Sequence, residues 1–284
     1  MIKGTIFFVC FIALCVLLDA RQNFSHLRST YTLIPIHGFH ELPRTSNEAF
    51  KQDYVKVGSC GDGSGFLGER FIRDLNDPDI ILIYDVNGFI SGIQNVVPSK
   101  LSRNEFINME LNPYYQMDNA INGHVTTAYF IDPDRICTDG RSQIEFDSQG
   151  TGYTLIFQKG LDLRQKKSFV EIPLIENEIQ NSSNEWFEHG CWFNMGKHYA
   201  EFNHKRDQSC DMLFPGFITY HNSMLHGFAW MHYGKLNGSR YEHPHKFMLS
   251  HIVKKGPRCL YKGEKTLGIS AMHIYFKSHK LMCQ

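Results

Sequence analysis

The sequence predicts a β-rich fold, all-β or α+β, in which antiparallel sheets with hairpins are stapled by disulfides. Short runs of β-branched and aromatic residues recur along the chain and are bounded by polar or glycine-bearing turns. Two pairs of these runs flank tight turn sequences, and six cysteines follow an apolar leader. Helical periodicity is confined to one or two short segments.

Two hairpins are predicted from these runs. The first joins Ile80–Tyr84 to Phe89–Gln94 across Asn87-Gly88, a pair that readily takes the positive φ angles of a type I′ turn. The second joins residues 217–221 to residues 224–233 across Asn222-Ser223. Four further runs are predicted strands: Val125–Ile131, Tyr153–Gln158, Phe169–Leu174 and Met272–Phe276.

The better helix candidate is Pro244–Lys255. Proline suits a first helical turn, and the Gly256-Pro257 pair ends the segment. A second short helix is predicted over Ser102–Leu111.

Residues 1–20 have the layout of a cleavable signal peptide. Lys3 supplies a positive charge, residues 6–18 form an apolar run too short for a comfortable membrane span, and Ala20 is a small residue at the cleavage position. We therefore expect residues 21–284 to form a single secreted, extracellular β-rich domain with no membrane segment after cleavage.

Cysteines and sequons agree with a secreted glycoprotein. Six cysteines remain after residue 20 and predict three disulfides; they are Cys60, Cys137, Cys191, Cys210, Cys259 and Cys283. Cys191–Cys210 is the preferred pair because these two are nearest in sequence, and Cys60–Cys137 and Cys259–Cys283 follow by elimination. The Asn-x-Ser pattern predicts glycosylation at Asn23, Asn181 and Asn237.

The charge balance excludes one class of partner. Twenty-nine basic and twenty-nine acidic residues give a formal net charge of zero, so no electrostatic footprint for nucleic acid is present.

Histidines supply the candidate sites. Strand alternation places several of them beside a tryptophan on one face of the second hairpin, and two more follow nearby. This predicted ligand-binding set is His221, His226, Trp230, His232, His243 and His245. Its competing interpretation is a face packed against another sheet. A metal site at His198, Glu201 and His204 is a further hypothesis, although spacing of three suits a helix poorly.

Other motifs favour ordinary structure. The G-x-G-x-x-G pattern at residues 63–68 lacks a βαβ context and predicts a glycine-rich turn. Asp132, Asp134 and Asp139 are typical of turn chemistry, and no nucleophile–base set stands out.

A resemblance adds to this interpretation. Residues 191–199 (CWFNMGKHY), 240–244 (RYEHP) and 271–276 (AMHIYF) are similar to those of a family of uncharacterised secreted invertebrate proteins. The resemblance, from about Ile80 onward, implies one continuous extracellular domain and brings no activity or catalytic residue.

The sequence therefore favours a non-enzymatic extracellular binding or effector protein without a cofactor. Its partner is an unknown extracellular ligand, a glycan or a protein. The alternative is a secreted hydrolase or metal-dependent enzyme that uses a divalent metal and the histidines of residues 189–279.

Overall fold

The computed structural model describes residues 24–30, 38–75, 79–182, 184–193, 195–203, 205–253 and 255–277. These residues form two antiparallel sheets, so the β-rich prediction is confirmed. The strands in chain order are β1 (Arg28–Thr30), β2 (Phe39–Glu41), β3 (Val55–Gly58), β4 (Glu69–Ile72), β5 (Ile80–Tyr84), β6 (Ile90–Pro98), β7 (Gln116–Asp118), β8 (Gly123–Tyr129), β9 (Leu155–Gln158), β10 (Phe169–Ile172), β11 (Phe187–Trp192), β12 (Gly196–Ala200), β13 (Gly216–His221), β14 (Met224–Tyr233) and β15 (Ile269–Tyr275).

The two sheets divide the chain almost in sequence order. One sheet has the order β10-β9-β8-β6-β5-β4-β3, with β7 also paired to β8. The other has the order β11-β12-β13-β14-β15-β1-β2, so the first two strands join the sheet formed by the second half. Chain-distant pairing of β1 with β15 brings the two ends of the described chain together.

The main hydrophobic core lies between the sheets. Leu82, Ile93 and Phe157 of the first sheet and Phe228 and Ile274 of the second belong to one buried cluster. Because side chains alternate along each strand, the opposite faces of both sheets need other cover.

Helices cover part of the outer face of the second sheet. The α-helices are α1 (Ser46–Lys51), α2 (Pro133–Ile136), α3 (Gln143–Gln149), α4 (Lys246–Ile252) and α5 (Arg258–Leu267), with short 3₁₀ turns at Ser99–Leu101, Lys166–Ser168 and Glu176–Asn181. Leu249 of α4 and Leu260 of α5 share a second buried cluster with Phe217 and Met231 of the sheet. The segment Lys246–Ile252 is therefore a layer over the sheet, shorter than the predicted helix Pro244–Lys255.

The second predicted helix, Ser102–Leu111, is wrong. The Asn104 carboxamide oxygen accepts hydrogen bonds from the backbone N–H groups of Phe106 and Ile107, at 2.9 and 3.1 Å. Such local side-chain bonds compete with helical hydrogen bonds and favour the turn found here.

Both predicted hairpins exist, with different turns. Asn222 and Ser223 have φ angles of 48° and 59°, as a type I′ turn requires. In the first hairpin only Gly88 has a positive φ, 84°, so the predicted type I′ geometry at Asn87-Gly88 is wrong. The Asp85 carboxylate instead accepts from the backbone N–H groups of Asn87 and Phe89 and holds a longer loop.

The glycine-rich segment is a turn, as predicted. Gly63, Gly65 and Gly68 have positive φ angles of 78°, 80° and 86°, and strand Glu69–Ile72 follows, where a phosphate-binding loop needs a helix.

Disulfide pairing was predicted correctly in one case. Cys60 pairs with Cys137, whereas Cys210 pairs with Cys259, so the pairs Cys191–Cys210 and Cys259–Cys283 are wrong. The loop after β12 packs against the start of α5 in the fold. There the Arg258 backbone N–H donates to the Arg206 carbonyl, and this contact brings Cys210 beside Cys259. Cys191 is disulfide-bonded too; Cys283 lies outside the described residues.

Asn181 and Asn237 are exposed, and Asn23 lies outside the described residues. No helix in the described part of the chain is long and apolar enough to cross a membrane.

Candidate functional site

The predicted histidine face is divided by a β-bulge in the hairpin of β13 and β14. Tyr220 pairs with Leu225, but Thr219 pairs with Gly227 and not with His226. An extra residue in one strand reverses the faces beyond it. Phe228 therefore points into the core between the sheets, and the His226 ring lies on the opposite side.

The central residues of the predicted ligand-binding face are buried, so they do not form the expected open surface. The exposed fractions of Trp230, His226 and His232 are 0%, 2% and 1%. His232 is held between sheets: its Nδ1 accepts a hydrogen bond from the Tyr115 hydroxyl at 2.7 Å, and its Nε2 donates to the Asn95 carboxamide oxygen. The prediction that these three residues share an open ligand-contacting face is wrong, and they are core.

The remaining predicted ligand-binding histidines are dispersed. His221 is half-buried at a small pocket of about 180 Å³ beside the Asn222-Ser223 turn. His243 and His245 are exposed next to α4, where the His245 ring lies 6.4 Å from the Phe247 ring. The fold does not bring these three together with Trp230.

The predicted metal set of His198, Glu201 and His204 is wrong in its second member. The Glu201 carboxylate accepts hydrogen bonds from the Tyr114 hydroxyl at 2.8 Å and from the Phe214 backbone N–H at 2.6 Å, both in the inter-sheet core. His198 lies on the opposite side of the sheet, beside Phe217. His204 lies outside the described residues.

A different cluster surrounds His198 on the outer face of the second sheet. His198 on β12, His273 on β15 and Glu242 line one enclosed cavity of about 30 Å³ beneath α4. The His273 Nδ1 lies 3.2 Å from a Glu242 carboxylate oxygen, and the His198 and His273 ring centroids are 6.3 Å apart. Two imidazoles and a carboxylate thus converge in a buried site.

Small residues on β14, one of the two strands between them, help these side chains to meet. β13 and β14 separate β12 from β15 in the sheet. Ala229 forms part of the cavity lining, and Gly227 lies two residues before it on the same face. Because neither residue has a long side chain, the two imidazoles can approach each other over the sheet.

His198 has a defined protonation state. Its Nδ1 lies 3.1 Å from the Gly190 carbonyl oxygen, which only accepts hydrogen bonds, so Nδ1 carries the proton and Nε2 carries the lone pair. Burial, followed by the neighbouring His273, lowers the pKa of His198 to about 3. Nε2 is buried without a hydrogen-bond partner among the described residues.

The cluster is not arranged as a closed metal site. In the described part of the chain, no group of three or more His, Cys, Asp or Glu side chains stands ready to hold a metal ion. The cavity has room for an ion or a water molecule and none for a substrate.

Sequence reasoning missed Glu242 and His273. One signal was available: in strand 269–275 the alternation places Met272 and Ile274 on the core side, which leaves His273 on the outer side. No local pattern marks Glu242, whose backbone pairs with Ala271 only through the tertiary fold.

An open groove of about 910 Å³ lies on the outer face of the first sheet. We call it the β10 groove. Its lining consists of Asp132, Tyr153, Thr154, Ile156, Phe169, Glu171, Ile172, Pro173, Leu174, Ile175 and Glu178. Apolar and aromatic side chains therefore alternate with three carboxylates, and no basic residue contributes to the lining.

The groove follows an edge of the sheet. β10 is an edge strand of the first sheet, and it pairs with β9 on one side. The chain then crosses to the other sheet, where the Leu225 N–H donates to the Leu174 carbonyl at 2.8 Å. This crossing fixes residues 173–175 as the rim of the groove.

Comparisons with known proteins gave no match to any family model, curated protein or solved structure.

Proposed function

We propose that this protein is a secreted extracellular binding protein that holds an extended segment of a protein partner in the β10 groove. The observation that supports the proposal is the coincidence of the groove with the edge strand β10. An edge strand presents backbone donors and acceptors to an added strand, and flanking pockets then select side chains. The signal-peptide pattern, the disulfides and the exposed sequons at Asn181 and Asn237 support an extracellular setting.

The lining favours a particular peptide composition. Asp132, Glu171 and Glu178 contribute negative charge, and Phe169 and Ile175 contribute apolar surface. A segment that alternates apolar residues with lysine or arginine matches both properties. Its association rate should fall as salt screens the carboxylates.

The test uses two exposed isoleucines. Ile175 is 41% exposed at the rim of the groove, and Ile144, on α3 and outside the groove, is 81% exposed. A phage-displayed library of random peptides is panned on the full chain, and selected synthetic peptides are then measured by calorimetry. We expect Ile175→Asp to weaken binding at least tenfold and Ile144→Asp to leave it unchanged. Peptides that bind both variants alike, or a panning that selects none, would contradict the proposal.

The metal-dependent enzyme remains a second candidate because His198, Glu242 and His273 converge in one buried site. Turnover requires α4 to move, since a cavity of about 30 Å³ admits no substrate. If the chain hydrolyses any ester, phosphoester or peptide in a substrate screen, His273→Gln should abolish that hydrolysis. Ile175→Asp should not affect it.

A further inference from the structure

The outer face of the second sheet carries buried polar groups that the β10 groove does not explain. The His198 Nε2 and the Thr219 hydroxyl are both buried without a hydrogen-bond partner among the described residues. These two residues are paired across β12 and β13 and so lie on one face. Burying a polar atom without a partner is unfavourable, so a ligand that contacts it gains that interaction without displacing another.

We propose that His198, His273 and Glu242 form a binding site for a divalent transition-metal cation such as zinc. The site differs from the predicted set of His198, Glu201 and His204, and it is independent of the β10 groove.

The chemistry of the donors fits such an ion. Two imidazoles and one carboxylate are a common protein ligand set for zinc and for other first-row transition metals. His198 already has the ligand form, because its Nδ1 proton is held by the Gly190 carbonyl and its Nε2 lone pair is available. A hydrogen bond of this kind to the other ring nitrogen is typical of histidines that bind metals.

The three side chains need to move only slightly to share one ion. Nitrogen and oxygen ligands of one tetrahedral zinc lie about 3.3 Å apart, and the His273 Nδ1 is 3.2 Å from the Glu242 oxygen. Two imidazoles on one tetrahedral zinc have ring centroids about 5 Å apart. The His198 and His273 rings, at 6.3 Å, are about 1 Å farther apart than that. An approach of the two rings by about 1 Å therefore lets both reach one ion beside the Glu242 carboxylate.

The surroundings favour a structural or sequestered ion. Met248, Leu249 and Ile252 of α4 close the cavity on the side opposite the sheet. The Glu242 backbone exchanges two hydrogen bonds of 2.8 Å with Ala271, which fixes the position of the carboxylate relative to β15. An ion held here ties β12, β15 and the segment before α4 together.

Zinc chloride alone is the probe. The full chain, purified with its disulfides, is dialysed against EDTA, returned to metal-free buffer and titrated by calorimetry, and zinc is counted by elemental analysis. We expect one zinc per chain with a micromolar or lower dissociation constant, and a melting temperature that rises with zinc concentration. Cobalt in place of zinc should give the visible absorption of a four-coordinate nitrogen and oxygen site.

Variants separate this site from adventitious surface binding. His273→Gln and Glu242→Gln should each weaken zinc binding at least a hundredfold. The control is the double variant His245→Gln/His251→Gln, in which two exposed histidines of the α4 region are removed. It should bind zinc as the wild type does. Far-UV circular dichroism without metal shows which variants fold, and either of the first two decides the test.

Two results would overturn the proposal. One is a wild-type chain that takes up no zinc at a zinc concentration of 100 µM. The other is binding that survives His273→Gln and Glu242→Gln and is lost in the control, which would place the ion on the surface. Neither result bears on the β10 groove.

Discussion

Acidification should destabilise the protein through His232, a buried histidine that is neutral in the folded state. Burial lowers the pKa of His232 from its ordinary 6.5 to about 3. Its two hydrogen bonds, from the Tyr115 hydroxyl and to the Asn95 carboxamide oxygen, satisfy the neutral ring. The experiment lowers the pH from 7.5 to 5. This whole interval lies above the pKa values of most carboxylates, so it titrates histidines selectively.

The sign and the size follow from proton linkage. Between pH 6.5 and about 3 the unfolded chain binds a proton at His232 and the folded chain does not, so stability falls as the pH falls. Each pH unit in that interval costs about 1.4 kcal/mol. From 6.5 to 5 the free energy of unfolding therefore decreases by about 2 kcal/mol at this residue.

A variant isolates this contribution. Urea unfolding is followed by the fluorescence of Trp186 and Trp230, both buried, in EDTA and with intact disulfides. His232→Gln is less stable than the wild type at pH 7.5, because it loses well-placed hydrogen bonds. We expect that difference to shrink by about 2 kcal/mol at pH 5, because glutamine does not titrate. The other histidines are present in both proteins, so their contributions to the pH dependence cancel in the stability difference.

The exposed His251 supplies the control. His251→Gln should keep a constant difference from the wild type across the same pH range. NMR of the wild type should show the His232 ring neutral, with its proton on Nε2, down to pH 4.5. A His232 ring that is charged at pH 6, or a stability difference that does not change with pH, would refute the reasoning.

Three further predictions concern the backbone and the disulfides, and each is read from the urea midpoint. Ser223→Gly should raise the free energy of unfolding by about 0.5 kcal/mol, since Ser223 has a φ of 59° and glycine has no Cβ penalty there. Gly227→Ala should lower it by about 2–3 kcal/mol, because the added Cβ would lie 2.2 Å from the Ile274 carbonyl oxygen. Replacing both Cys210 and Cys259 by alanine opens a loop of 49 residues and should cost about 4 kcal/mol in the chain-entropy model.

For each of these three stability predictions, one result would contradict the reasoning. A loss of stability in the Ser223 variant would show that its hydroxyl matters more than its backbone angle. A neutral Gly227 variant would mean that β14 and β15 can separate without cost. Peptide mapping that finds Cys210 bonded to a cysteine other than Cys259 would remove the basis of the third prediction.

The local sequence was sufficient to predict the turn of the second hairpin. It was not sufficient to predict the β-bulge, which begins two residues before that turn. Asn222 and Ser223 carry the turn signal in their own φ preferences, and the structure has the turn there. The bulge beside Thr219 has no such signal in the neighbouring sequence; at Gly227, next to it, the backbone lies close to the Ile274 carbonyl of β15, a strand distant along the chain. One unpredicted residue then reversed the side on which Phe228 and Trp230 lie.

The candidate metal site could not be predicted for a related reason. Its residues come from positions 198, 242 and 273, and only the strand order β12-β13-β14-β15 brings them together. Sequence spacing favoured Glu201, which is nearer along the chain and lies on the other side of the sheet. The Cys191–Cys210 pair failed in the same way, since nearness in sequence was used in place of nearness in the fold.

The two candidate sites lie on opposite outer faces of the sandwich, with the inter-sheet core between them. The β10 groove lies on the first sheet and the His198 cluster on the second. Sites that share no contact usually contribute independently to stability and binding. Zinc should therefore raise the melting temperature of Ile175→Asp as much as that of the wild type, and a peptide in the groove should leave zinc affinity unchanged. Coupling between them would require the core itself to have two arrangements, because a close-packed interior transmits change only by switching between discrete packings.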